Sequence, residues 1–240
     1  MPDFYVTLLF VFCFSIIQSI IGIGLLVFGT PTFLLLGYSF EATLTYLLPA
    51  SIGISSLQIM NEKKHIKLRK DFLIFTVPFI MLGLFIALTK PIDFNLKHII
   101  SILLLLTGTL RLFPTLQDTI KRFLKSNMKI YMIILGAIHG VSNMGGGLLT
   151  ILASTLFNNK NEIRVNIAYG YLIFALTQIT VLAFYSPHLF SWFSVIFPVI
   201  SISTYTLIGN IVYKKASEVS FRNLITIFTF AYGIVLFVTI

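Results

Sequence analysis

Residues 136–150 read GAIHGVSNMGGGLLT, inside a long apolar stretch. A membrane helix through this point would carry His139, Asn143 and the run Gly145, Gly146, Gly147 near its middle. Each glycine weakens a helix by about 1 kcal/mol relative to alanine. Histidine and asparagine are costly in hydrocarbon, where nothing replaces the lost water. The stretch reads as a break rather than a plain span, and how it is threaded decides the topology of the whole chain.

The composition sets that break in a membrane. Of 240 residues, 57% are hydrophobic and 10% charged, against about 25% charged in soluble domains. The net charge of +9 raises nucleic acid as a partner. However, the cations sit in short gaps between apolar runs, with no basic patch interleaved with aromatics, so no nucleic-acid partner is expected. The solitary Cys13 lies in an apolar run, where it allows no disulfide framework or metal cluster. No cofactor and no metal are expected. The N-terminal MPDFYVTLLFVFCF has no positive n-region and reads as a retained membrane segment.

A spanning helix needs about 20 mostly apolar residues. Residues 39–60, 71–90, 96–112, 164–185, 190–212 and 222–240 meet that need. Segments 4–37 and 129–157 are too long for one span each, and both carry glycines where a span would have its middle. Lys and Arg decide orientation, because cytoplasmic loops retain positive charge. They gather at 61–70, 111–129, 158–164 and 213–222, whereas the gap at 90–97 holds only Lys90 and Lys97. If the two glycine-bearing segments each enter and return on one side, fifteen cations lie inside and two outside. If each crosses once, the counts become ten and seven. The charges favour two bent hairpins and place both termini outside the cell membrane.

Each half then holds one hairpin and three full spans. Three is odd, so the halves, 1–115 and 126–240 of a single 1–240 transmembrane domain, are expected to be inverted repeats. An offset of 121 residues aligns Gln18 with His139, Gly22 with Asn143, Gly24 with Gly145 and Glu41 with Glu162. The expected fold class is an all-α integral membrane protein. Inverted repeats with matching glycine-interrupted segments point to a secondary transporter that binds substrate at the repeat interface. A broken helix frees backbone N–H groups, and helix N-termini attract anions.

GIGLLVFGTPTFLLLG at 22–37 and NMGGGLLTIL at 143–152 resemble the G-I-G-G-G-x-x-x-x-P element that opens each half of the TauE/SafE family. Leu25 and Leu26 stand at glycine positions of that element, and Leu152 stands where proline is usual. The resemblance covers essentially the whole chain. It implies a permease for sulfite, a sulfonate or another organosulfur anion.

On this reading the substrate contacts are Gly22, Gly24, Gln18, His139, Asn143, Gly145, Gly146, Gly147, Ser55, Gln58 and Gln178. The glycines at 145–147 are expected to form an unwound turn that exposes amides. His139 precedes Asn143 by one turn and shares its face. An ionisable group within a membrane is a functional hypothesis by default, which makes His139 a candidate for proton coupling. Glu41 and Glu162 are further coupling candidates. Their bland alternative is a carboxylate that favours a helix N-terminus, with Arg164 a boundary partner for Glu162. No Lys or Arg falls in the core of an expected span, so the positive field is assigned to helix dipoles. Pro49, Pro78 and Pro198 read as ordinary kinks.

The expected partners are a small anion, the lipid bilayer and a coupling proton; a homo-oligomer is compatible with all of this. The alternatives are an intramembrane enzyme, a non-transporting assembly protein and a channel. The enzyme lacks a nameable triad, since His65, His98 and His188 are peripheral. No catalytic residue is expected.

Overall fold

The computed structural model describes residues 4–68, 70–89, 101–103, 105–106, 109, 112–190, 195–215 and 217–239. The expected span 96–112 falls largely on residues outside this set, as do Arg69, Lys90, Lys97, His98 and Arg111.

The described residues form helices joined by short turns: α1 (Phe4–Ile21), α2 (Leu25–Leu35), α3 (Phe40–Glu62), α4 (Lys70–Thr89), α5 (Pro114–Ser142), α6 (Gly145–Leu156), α7 (Lys160–Tyr185), α8 (Ile196–Thr204), α9 (Asn210–Lys215) and α10 (Glu218–Thr239). A π-helical turn, Tyr205–Gly209, joins α8 to α9. The stretches Phe4–Ile21, Phe40–Glu62, Lys70–Thr89, Lys160–Tyr185 and Ile196–Lys215 are long and apolar enough to cross a membrane. The protein is an all-α multi-pass membrane protein.

Both glycine-bearing segments fold back on themselves. Thr7, near the start of α1, bonds through its hydroxyl to the Tyr38 hydroxyl beyond α2, at 2.6 Å. The Tyr131 hydroxyl of α5 donates to the Leu148 carbonyl of α6 at 2.7 Å. Each hairpin has a long arm and a return helix of 11 or 12 residues, about 17 Å at 1.5 Å per residue. A Cβ on Gly24 would lie 2.5 Å from the Phe14 carbonyl, so this turn closes only without a side chain.

Two long-range packings hold the hairpins. Cβ atoms built on Gly136 and Gly140 of α5 would stand 2.5 Å from the carbonyl oxygens of Thr76 and Ile80 in α4, and one on Gly83 2.8 Å from that of Ala137. The spacing G-x-x-x-G brings two membrane helices into backbone contact without a hydrophobic drive. Since Thr76 meets Gly136 and Ile80 meets Gly140, α4 and α5 run parallel. The first hairpin packs likewise: Phe4 lies 6.5 Å from Phe197 between ring centroids, and a Cβ on Gly209 would reach Ser19.

The basic gaps gather at one end of the molecule. Lys67 Nζ bonds Glu162 Oε1 at 2.6 Å, the Tyr213 hydroxyl donates to Asn161 Oδ1 at 2.5 Å, and Lys67, Lys70, Met128 and Phe157 line one cavity of about 450 Å³. The 111–129 stretch, expected as a loop, is instead mostly helical. Pro114 starts α5, which bends at Asn127 (φ −133°) before the hairpin arm. A proline at the first helical position loses no intrahelical bond.

Asn166 fastens this end. Its Oδ1 accepts from the backbone N–H groups of Lys67 and Leu68, both at 2.8 Å, while Nδ2 donates to the carbonyls of His65 and Glu162. Because the side chain is fully buried, Asn166→Leu is expected to destabilise the protein by about 2–4 kcal/mol, as several buried groups lose partners. Glu162→Gln, at a partly exposed ion pair, should change stability by less than about 1 kcal/mol. Thermal melts of the purified variants separate the two cases.

Candidate functional site

The site is built where each hairpin arm ends. In α1 the last turn closes with Gly22 N–H on the Gln18 carbonyl at 2.8 Å, and in α5 with Asn143 N–H on the His139 carbonyl at 2.7 Å. Both closing residues are left-handed, Gly22 at φ +90° and Asn143 at φ +59°. Glycine adopts this region freely, and asparagine is the side chain that tolerates it best. These two residues, not the glycine run, turn the chain. Gly145, Gly146 and Gly147 form the first turn of α6, which corrects the expected unwound turn. Their value lies in close packing. A Cβ on Gly146 would stand 1.8 Å from the Tyr171 hydroxyl and 2.5 Å from Val27 Cγ2.

A side chain of the long arm caps each return helix. Gln18 Oε1 accepts from Leu25 N–H at 3.1 Å, and His139 Nδ1 accepts from Gly145 N–H at 3.2 Å. First-turn amides have no intrahelical acceptor, so each cap satisfies a group that would otherwise stand orphaned. The caps are held by the span that follows each hairpin. Gln18 Nε2 donates to Ser51 Oγ at 3.0 Å and Ser55 Oγ at 3.4 Å, and His139 Nε2 pairs with Gln178 Oε1 at 3.1 Å. A glutamine of each span also reaches the arm's end: Gln58 Nε2 donates to the Gln18 carbonyl at 3.0 Å, and Gln178 Nε2 to the His139 carbonyl at 3.5 Å.

His139 has both nitrogens engaged and its ring stacked on Phe174 at 4.0 Å between centroids. A ring that accepts at Nδ1 and faces a carbonyl oxygen at Nε2 carries its proton on Nε2. This bonding is that of a neutral cap.

The two hairpins meet at their N-terminal turns. Asn143 Nδ2 donates to Thr30 Oγ1 at 2.8 Å, while Gly146 faces Val27. Later residues of α2 thus meet earlier residues of the second hairpin, so the return helices overlap antiparallel by about one turn. Within this overlap Asn143 Oδ1 and the Tyr171 hydroxyl are buried without a hydrogen-bond partner. They are an acceptor and a donor placed where the two tips cross.

The structure brings Gln18, Gly24, Ser55 and Gln58 together at the first tip, with Gly22 closing its arm. It gathers His139, Asn143, Gly145 to Gly147 and Gln178 at the second. Glu41 stands apart in the first turn of α3, whose cap is Ser39. Glu162 pairs with Lys67 and not with Arg164, which corrects the boundary pair expected from their closeness in sequence. Arg164 is a second correction. The helix begins at Lys160, because Asn159 caps it by accepting from Asn161 N–H at 2.8 Å, so Arg164 lies inside α7 and is buried.

The profile of the family described as Sulfite exporter TauE/SafE matches residues 7–236. The chain belongs to this family. Membership makes it a membrane transporter with a small-molecule substrate, and it assigns the bilayer as its surroundings. No curated protein and no solved structure matches the chain. Beside the substrate contacts expected from the sequence, the two tips also hold Thr30, Ser51 and Tyr171. Arg164, Tyr171 and Gln178 stand seven residues apart along one face of α7, a spacing visible in the sequence once the helix start is moved to Lys160.

Proposed function

We propose that the chain carries a small organosulfur oxyanion, a sulfite or a sulfonate, across the cell membrane by alternating access between two inverted halves, 1–115 and 126–240. The observation that carries this reading is the antiparallel overlap of two capped return helices, whose N-terminal turns face one another beside the unpartnered Tyr171 hydroxyl and the unpartnered Oδ1 of Asn143. N-terminal turns favour negative charge, and a site shared by two inverted elements is the arrangement that alternating access uses. Rocking one hairpin against the other opens the overlap to either side in turn. The basic end faces the cytoplasm in this reading, with both termini external.

Of the three ionisable groups proposed for proton coupling, His139 spends both nitrogens on the cap and Glu162 its carboxylate on Lys67. Glu41 has no partner among the described residues, and we assign the coupling proton to it.

Proteoliposomes loaded with labelled sulfite, methanesulfonate or thiosulfate test this. Flux above empty vesicles is expected for at least one of them, and Tyr171→Phe, which takes the unpartnered hydroxyl from the crossing without adding bulk, is expected to lower it while the protein stays folded. Glu41→Gln should leave flux that no longer responds to an imposed proton gradient. No flux of any of the three anions by folded protein would sink the reading.

A further inference from the structure

Arg164 is buried, at 2% exposure, the one Lys, Arg, Asp or Glu to be so among the residues whose side chains are described. Its Nη2 donates to the Ser19 carbonyl at 2.7 Å, at the C-terminal end of α1. Its Cζ lies 3.7 Å from the Tyr213 ring centroid and 5.5 Å from that of Tyr205. Lys160 Nζ stands over the same Tyr213 ring at 5.1 Å. Among the described residues no carboxylate comes within 4.0 Å of the guanidinium, since the nearby Glu162 is engaged by Lys67. The Arg164 Nε is buried with no partner at all.

Removing a cation from water is expensive unless an opposite charge replaces the lost hydration. The faces and hydroxyls of Tyr205 and Tyr213 and a helix C-terminus recover part of this. Neither satisfies the Nε–H, and neither cancels a whole charge. Intramembrane arginines of this kind mark the path of an ion or substrate. The place fits such a role, because the Arg164 carbonyl lies 3.6 Å from where a Cβ of Gly22 would be. The guanidinium itself bonds the Ser19 carbonyl, in the last turn before that glycine. From it the same face of α7 passes Tyr171, at the crossing, and reaches Gln178 at the second tip, about 21 Å away at 1.5 Å per residue.

We propose that Arg164 is the charge anchor for the transported anion. It receives the oxyanion on the edge of the guanidinium that carries Nε–H, on the way to the overlap of α2 and α6. The N–H groups along such an edge are spaced to match two oxygens of a sulfite or sulfonate group, a bidentate fit that an ammonium does not offer. The proposal rests on the transporter reading above and supplies the positive charge that helix dipoles were expected to provide. No bond is made or broken.

The test measures binding of sodium sulfite and of sodium methanesulfonate to the purified full chain at fixed ionic strength, for wild type, Arg164→Gln and Arg164→Lys. Folding is checked by the melting curve of each. Arg164→Gln is expected to weaken the affinity by ~30-fold or more, the scale of a charge-assisted bond. Arg164→Lys should weaken it by ~3- to 10-fold, since it keeps the charge and loses the fork. A folded Arg164→Gln protein with wild-type affinity overturns the anchor and leaves the transporter reading standing, because a mere staple for the Ser19 carbonyl would lower the melting temperature alone. If Arg164→Gln does not fold, wild-type affinity in Arg164→Lys overturns it instead. Wild-type protein that binds neither anion overturns the proposed substrate class and the anchor together.

Discussion

Gly140→Leu is expected to remove most of the folded protein. The new side chain would begin 2.5 Å from the Ile80 carbonyl, 2.9 Å from the Leu84 amide nitrogen and 3.0 Å from Gly83 Cα. All of these are backbone atoms, so no rotamer change relieves the clash and α4 must part from α5. Overpacking a close contact typically costs about 1–3 kcal/mol, and a leucine against backbone on three sides belongs at or above the top of that range. Even Gly140→Ala places its methyl at the same 2.5 Å, so a clear fall in melting temperature is expected for it too. The same holds for Gly136→Ala, which faces the Thr76 carbonyl. Recovery of monodisperse protein from detergent, together with a thermal melt, measures both effects. An alanine variant that melts like wild type would mean that the α4–α5 contact does not need bare backbone. The consequence reaches function, because α5 carries the second hairpin and α4 is what it leans on.

This packing shows how far the sequence can be read and where reading stops. Gly136 and Gly140 stand in the opening stretch at the spacing of a membrane helix contact, yet the three adjacent glycines draw the eye, and only a partner at Gly83 decides between them. The hairpins themselves were legible, because distributing the cations of four gaps between two sides is a global constraint that few threadings satisfy. Helix bounds followed from apolar length, and three of the six expected spans, 39–60, 71–90 and 164–185, lie within a few residues of α3, α4 and α7. Arg164 was not legible as a buried group. A hydropathy window stops at Lys160, Glu162 and Arg164 as if the helix did. The rings that shelter the guanidinium come from Tyr205 and Tyr213, and the carboxylate beside it in sequence is taken by Lys67, 95 residues earlier. Nothing local announces either fact.

His139→Leu and His139→Gln should part company sharply. Leucine removes the acceptor for Gly145 N–H and the donor for Gln178 Oε1, both fully buried. Each orphaned group costs about 1–3 kcal/mol, so a loss of about 2–5 kcal/mol is expected, and the turn between α5 and α6 should loosen with it. Glutamine can restore both bonds, because Gln18 already does the same work in the first half. There Oε1 accepts from Leu25 N–H and Nε2 donates to the following span. His139→Gln is therefore expected to stay within about 1 kcal/mol of wild type. It should also keep anion flux and its pH profile, since both nitrogens of the imidazole it replaces are spent on the cap. Melting curves compare the stabilities, and flux measured from about pH 5 to 8, where an imidazole titrates, reads the second property. A stable His139→Gln protein whose flux is lost, or whose pH dependence disappears, would return the coupling proton to the imidazole and make the cap secondary. The asymmetry between the two caps then acquires a meaning. A cap that never titrates works equally well as glutamine or histidine, and the chain uses one of each.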